Sequence, residues 1–302
     1  MQMKMSLRRI VMAGALLGTA AMSVTSAGAA TAHKAQAPMY YVALGDSYAM
    51  GYQPGFSDTS ETVHGYVQQL PALVKAKTKL IVENFGCGGA TSTSILQQDG
   101  CNPLATPLGG PTYPTQTQEQ AAIAFINAHH GQIGLITISI GGNDFDACVN
   151  SNDAIGCVST SMPQMKTNIT TLASDVRAAA GPTVPMIATT YPDVVLGMYV
   201  TTPPNPGFAN LSLIAFKSII NPDMVQAYGP SNVAFIDITN ATGAYTPLKK
   251  STTLAPYGKI PVAVANVCKL TWFCERKDIH PKTVGYTLIA KLVAKQYLKM
   301  VK

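Results

Sequence analysis

Eight consecutive residues, Ile133-Gly134-Leu135-Ile136-Thr137-Ile138-Ser139-Ile140, constrain the fold of this chain more than any other feature. The run is rich in β-branched residues and stops at Gly141-Gly142, the pattern of a strand with no polar face. Strands buried on both sides belong to parallel sheets sandwiched between helices. Residues 39–44, 80–85, 184–190 and 233–236 read as further strands of the same kind. Between them, 118–129 and 165–181 carry apolar residues at helical spacing, and 208–228 reads as a helix interrupted by Pro222. The closing helix is expected to start at Pro281, a favoured first helical position, with Val284, Leu288 and Leu292 as its apolar stripe. This alternation predicts an α/β fold whose central parallel sheet is covered on both faces.

At the N-terminus, Lys4, Arg8 and Arg9 precede an apolar run over 10–22, and Ala27-Gly28-Ala29 fits a signal-peptidase site. The run is shorter than the roughly 20 residues of a bilayer span. A signal peptide over 1–29 and a mature chain of one domain over 30–302 are expected, secreted outside the cell or to its envelope, with no stable membrane insertion. The net charge is +6, but the 21 Lys and Arg residues are scattered, so nucleic acid is not an expected partner. The Pro-, Gly- and Thr-rich stretches 102–117 and 200–207 read as surface loops rather than domain boundaries, and a monomer is expected.

All six cysteines follow the leader, and an even count in an exported chain points to disulfides. They allow 15 connectivities in principle. Their grouping favours the local pairs Cys87–Cys101, Cys148–Cys157 and Cys268–Cys274, with free buried thiols as the alternative. Closing a loop of about 15 residues contributes roughly 3 kcal/mol in the chain-entropy model. No C-x-x-C or paired-His spacing supplies a zinc site.

In open parallel sheets, ligands bind beyond the carboxyl ends of the strands. Ser47 follows the first strand, Gly88-Gly89 the second, and Gly142-Asn143-Asp144 the third, while His280 precedes the last helix. A serine hydroxyl needs a base to become a nucleophile, and histidine is the usual one near neutral pH. The resulting oxyanion needs donors, which the backbone N–H of Ser47, the backbone N–H of Gly89 and the side-chain amide of Asn143 can supply.

Gly45-Asp46-Ser47, the stretch from Asn84 through Gly89-Ala90-Thr91-Ser92, Gly141-Gly142-Asn143-Asp144 and Asp278-Ile279-His280-Pro281 together resemble the blocks of the SGNH or GDSL hydrolase family. They occur in the family's order and span nearly all of the mature chain. The resemblance implies a three-layer α/β/α sandwich of flavodoxin-like type and hydrolysis of carboxylic esters through an acyl-serine intermediate. It implies Ser47 as nucleophile, His280 as general base, and Gly89 and Asn143 as oxyanion donors. The cysteine pairs are similar to those of secreted actinobacterial lipases and esterases. The family's last block places Asp three residues before His; here that position is Lys277, and Asp278 lies two before. Asp278 is expected to orient His280, with the carbonyl of Lys277 and the side chain of Glu275 as alternatives.

Other readings are structural. His129-His130 sits at a helix end, where it suits the helix dipole. Asp144 is expected only to turn the chain, and His64 carries no assignment. The stretch 194–199 either lines or covers an acyl pocket or belongs to the core. No G-x-S-x-G elbow, phosphate loop or dinucleotide fingerprint occurs. No cofactor and no metal are expected, and the expected partner is a small-molecule or lipid ester. A polysaccharide acetyl esterase or an acyltransferase of the same fold is the nearest alternative. A non-catalytic carbohydrate- or surface-binding protein is the rival from another class.

Overall fold

The computed structural model describes residues 37–55 and 62–301, so the expected leader over 1–29 lies outside the described residues. The strands are β1 (Met39–Gly45), β2 (Leu80–Asn84), β3 (Ile133–Ser139), β4 (Met186–Thr189), β5 (Ala234–Ile236), β6 (Ser251–Leu254) and β7 (Gly258–Pro261). The first five form one sheet in the order 2-1-3-4-5, parallel at every pairing. They are the expected strands with ends moved by up to two residues. β4 begins late because Pro185 has no N–H for the ladder, although its carbonyl still accepts from Ile136.

The α-helices of eight residues or more are α1 (Tyr66–Val74), α2 (Gln118–Ala128), α3 (Ala154–Ala180), α4 (Pro206–Ala215), α5 (Asn221–Tyr228), α6 (Val262–Leu270) and α7 (Thr283–Met300). The pleat of β1 sends Tyr41 and Ala43 towards a layer built from α1 and α7. Val42 and Leu44 point the other way, into a core shared with α2, α3 and α5. The result is the three-layer α/β/α sandwich. A smaller core gathers the β6–β7 hairpin, α6 and Leu196, an addition the sequence pattern does not announce because the hairpin strands are half-exposed.

Three helices differ from expectation. α3 starts at Ala154, eleven residues before the expected start. A proline inside a helix is costly, but the turns before Pro163 are held by the N-cap of Asp153, the Cys148–Cys157 bond and burial of Val158 and Met162. Near Pro222 the chain does not break. It widens into a π turn over Phe216–Ile220, and Pro222 then sits in the first turn of α5, where no N–H is required. α7 begins at Thr283, because Pro281 pairs with Thr271 in an isolated bridge. Its buried face is Tyr286, Ile289, Ala290, Val293, Ala294 and Tyr297 rather than the expected stripe. Val284 is exposed, and Leu288 and Leu292 are half-buried at the edge of that face.

The strand order decides where a site can form. The chain leaves β1 towards β2, then crosses back to β3 on the other side of β1. A crevice therefore opens beyond the carboxyl ends of β1 and β3. Gly45 and Ser139 are paired at those ends, so Ser47 and Gly141-Gly142-Asn143 leave the sheet side by side.

Candidate active site

The turn carrying Ser47 is built around Gly45. Its φ is +141°, and a Cβ there would lie 2.0 Å from the carbonyl oxygen of Ser139, so no other residue fits. Gln118 satisfies both backbone groups of Gly45: its Oε1 accepts the N–H at 2.7 Å and its Nε2 donates to the carbonyl at 3.0 Å. Asp46 caps the one-turn helix Ser47–Met50, accepting from the N–H of Tyr48 at 2.9 Å. Its other oxygen accepts from the hydroxyl of Tyr191 at 2.5 Å. Ser47 is thereby fixed at the helix start and is almost fully buried.

His280 reaches Ser47 from the far end of the chain. Its Nε2 lies 2.8 Å from Ser47 Oγ and its Nδ1 lies 2.8 Å from Asp278 Oδ1. The backbone N–H of His280 donates to the same Asp278 oxygen, also at 2.8 Å. A carboxylate only accepts, so Nδ1 carries the proton and Nε2 of the neutral ring is free to accept from Ser47. Burial acts to raise the carboxyl pKa of Asp278. The hydrogen bonds and charge of His280, with Arg276 behind them, outweigh it and hold Asp278 below its ordinary value.

The loop is held from both sides. The N–H of Trp272 donates to the His280 carbonyl at 3.0 Å, the N–H of Lys282 donates to Leu270, and the Tyr48 hydroxyl donates to Ile279 at 2.7 Å. Of the three expected partners for the imidazole, only Asp278 bonds it. Glu275 pairs instead with Lys282, and Lys277 adopts a left-handed conformation (φ 55°) at the end of the Phe273–Arg276 turn.

Asn143 and Gly89 meet through Ala90. The Asn143 amide donates one hydrogen to the Ala90 carbonyl at 2.7 Å, leaving its second for a ligand. Gly89 has φ +80°, and its N–H finds no acceptor among the described residues. Asp144 does more than turn the chain. Its carboxylate accepts from both the N–H (2.9 Å) and the hydroxyl (2.5 Å) of Ser92, locking the loop after β2 to the loop after β3. Burial raises its pKa, and the Ser92 bonds oppose that rise.

Ser47 and Asn143 open onto a cavity of about 190 Å³ whose wall is otherwise almost wholly apolar. Gly89 lines a different cavity, with Asn102 and Tyr113. The stretch 194–199 divides its work: Val194, Val195 and Met198 line the apolar cavity, while Leu196 packs into the small core. Behind it lies Asp193, fully buried, accepting from Ser212 at 3.0 Å. Burial pushes its carboxyl up to about 7, against the opposing Ser212 bond. All three local disulfides are present.

A model of the GDSL-like lipase/acylhydrolase family matches residues 43–288. The chain belongs to that family. It is accordingly a carboxylic-ester hydrolase, and the four blocks lie within the matched residues. Among solved structures it is similar to an extracellular lipase from Streptomyces rimosus, at 17% identity and a TM-score of 0.54, covering 85% of this chain and 99% of that one. It is also similar to a phospholipase A1 from Streptomyces albidoflavus, at 19% identity and a TM-score of 0.51, covering 86% and 99%. Both likenesses show the α/β/α fold. No curated protein matches the sequence.

Sequence reasoning missed the supports of this GDSL-family site. Gln118, Tyr48 and Tyr191 hold the Ser47 turn and the His280 loop from 73, 231 and 145 residues away along the chain. Gln118 reads only as the start of a helix and Tyr191 only as the residue that follows a strand. Their hydrogen-bonding role has no local signature.

Proposed function

We propose that the protein is a secreted serine esterase that hydrolyses esters of apolar acyl groups. Ser47 attacks the ester carbonyl while His280 takes its proton, and Asp278 holds the imidazole and balances the positive charge it acquires. The backbone N–H groups of Ser47 and Gly89 and the amide of Asn143 receive the oxyanion. His280 then protonates the leaving alcohol, and water attacks the acyl-enzyme by the same route in reverse. Export follows from the proposed removal of residues 1–29, leaving one domain over 30–302.

The observation that carries this reading is the chain Ser47 Oγ–His280–Asp278, with 2.8 Å at each link, opening onto the apolar cavity. An acetyl group would occupy only the mouth of that cavity, so its extent favours longer acyl chains over the acetyl esterase alternative. The test is labelling with a fluorophosphonate. The expected result is one covalent adduct on Ser47, absent in Ser47→Ala. An unlabelled wild-type protein would favour the non-catalytic reading instead.

A further inference from the structure

Three residues from separate segments both line the apolar cavity and reach solvent. Val149 stands on the turn after β3, Leu211 on α4 and Ile279 beside His280; they are 43%, 40% and 36% exposed. Ile214, one turn further along α4, is 52% exposed. The apolar wall of the cavity therefore continues out to the surface at these three residues, and an exposed apolar patch at a cavity mouth marks an interaction surface.

The charge pattern agrees. From Val194 to Phe216 the chain carries no Asp, Glu, Lys, Arg or His, although the sequence as a whole is 12% charged. Val194, Met198, Phe208 and Leu211 in this segment line the cavity. Docking α4 against an apolar medium thus leaves no charge of this segment to be stripped of water.

Resting on the reading of the cavity as the acyl site, we infer that the rim docks on the surface of aggregated, zwitterionic lipid. An ester whose acyl chain fills such a cavity resides in bilayers, micelles or droplets rather than free in water. A rim seated on that surface lets the chain slide from one apolar medium into another, without re-exposing its methylenes. The occupant follows from the same continuity: what covers the rim is the phase that delivers the substrate.

The test uses the mature chain carrying Ser47→Ala, so that binding is read without turnover, and large unilamellar vesicles of palmitoyl-oleoyl phosphatidylcholine in a flotation assay. The protein is expected to float with the vesicles at low and high salt alike. Ile214→Asp on the rim is expected to weaken partitioning about tenfold. Leu73→Asp is expected to leave it unchanged, since Leu73 is exposed to the same extent as Leu211 (41% against 40%) but lies at the end of α1 leading to the start of β2, away from the carboxyl edge. Thermal midpoints show that both variants are folded. The inference is overturned by absence of vesicle binding, by binding that salt abolishes, by equal losses in the two variants, or by a rim-dependent dimer that does not float. Wild-type protein that is labelled by fluorophosphonate yet does not bind vesicles overturns the docking alone. Absence of labelling overturns the acyl-site reading beneath it.

Discussion

His280 is held by a residue only two positions earlier: one oxygen of Asp278 accepts both its ring Nδ1–H and its backbone N–H, each at 2.8 Å. The carboxylate therefore sets the turn and the ring orientation together. Asp278→Asn keeps the size but removes the charge that stabilises an imidazolium. It is expected to lower kcat by about 10²–10⁴-fold with little change in KM, and His280→Ala is expected to lower it further. Steady-state kinetics on a soluble p-nitrophenyl ester decide the matter. Activity of Asp278→Asn within a few-fold of wild type would remove Asp278 from the mechanism.

Asn143 has two demands on one amide, the Ala90 carbonyl at 2.7 Å and the proposed oxyanion. Asn143→Ala is expected to cost about 10²–10³-fold in kcat, the usual loss for one oxyanion donor. The bond to Ala90 predicts a separate effect, a stability loss of about 1 kcal/mol in urea unfolding. A variant with the stability loss alone would leave Asn143 as a tie between loops and nothing more.

Gln118 tests how firmly the Ser47 turn depends on remote support. In Gln118→Leu the N–H of Gly45 stays buried with no acceptor, while the Gly45 carbonyl keeps its bond from Cys87. The expected destabilisation is about 1–3 kcal/mol, read from chemical denaturation. A loss below that range would mean that the turn relaxes and finds another partner.

Much of this site was legible because its reacting residues sit at strand ends, where Gly, Asp, Ser and Asn clusters stand out against apolar runs. β3 needed only its own composition to be recognised. The supports were not legible, because Gln118, Tyr48 and Tyr191 act through contacts across the fold and look locally like ordinary helix or strand residues. The first eleven residues of α3 were not legible, because the clear apolar spacing begins only at Met165; Pro163 lies inside the helix, its cost offset by a disulfide and by buried Val158 and Met162. The apolar face of α7 was misplaced by one residue because Val284, Leu288 and Leu292 keep helical spacing among themselves. Only the packing against the sheet reveals that Tyr286, Ile289 and Val293 face inward.

The cavity predicts chain-length selectivity that a single bulky residue can reset. Ala215 lines it and is nearly fully buried. Ala215→Trp fills part of the space an acyl chain would take. Each buried methylene is worth about 0.8 kcal/mol, so excluding three or four of them is expected to lower the laurate-to-acetate ratio of kcat/KM by about 10²-fold. A ratio that stays at the wild-type value would place the acyl chain elsewhere.

Asp193 gives the fold a pH dependence of definite sign. Burial raises its carboxyl to about 7, well above the ordinary value of 3.8. Between those values the folded state keeps a proton that the unfolded chain has released, so stability falls as pH rises through this window and levels off above it. For a wholly buried group the shift corresponds to roughly 4 kcal/mol at most. Glu119, raised to about 7 by burial and by Asp175, acts in the same direction, so the wild-type profile alone cannot assign the effect. Asp193→Asn can still accept from Ser212 but cannot ionise. Its stability relative to wild type is expected to improve by about 2–4 kcal/mol on going from about pH 4.5 to about pH 8, measured by urea denaturation. Parallel profiles for the two proteins would mean that Asp193 is charged in the folded state and paired with a donor that compensates its burial.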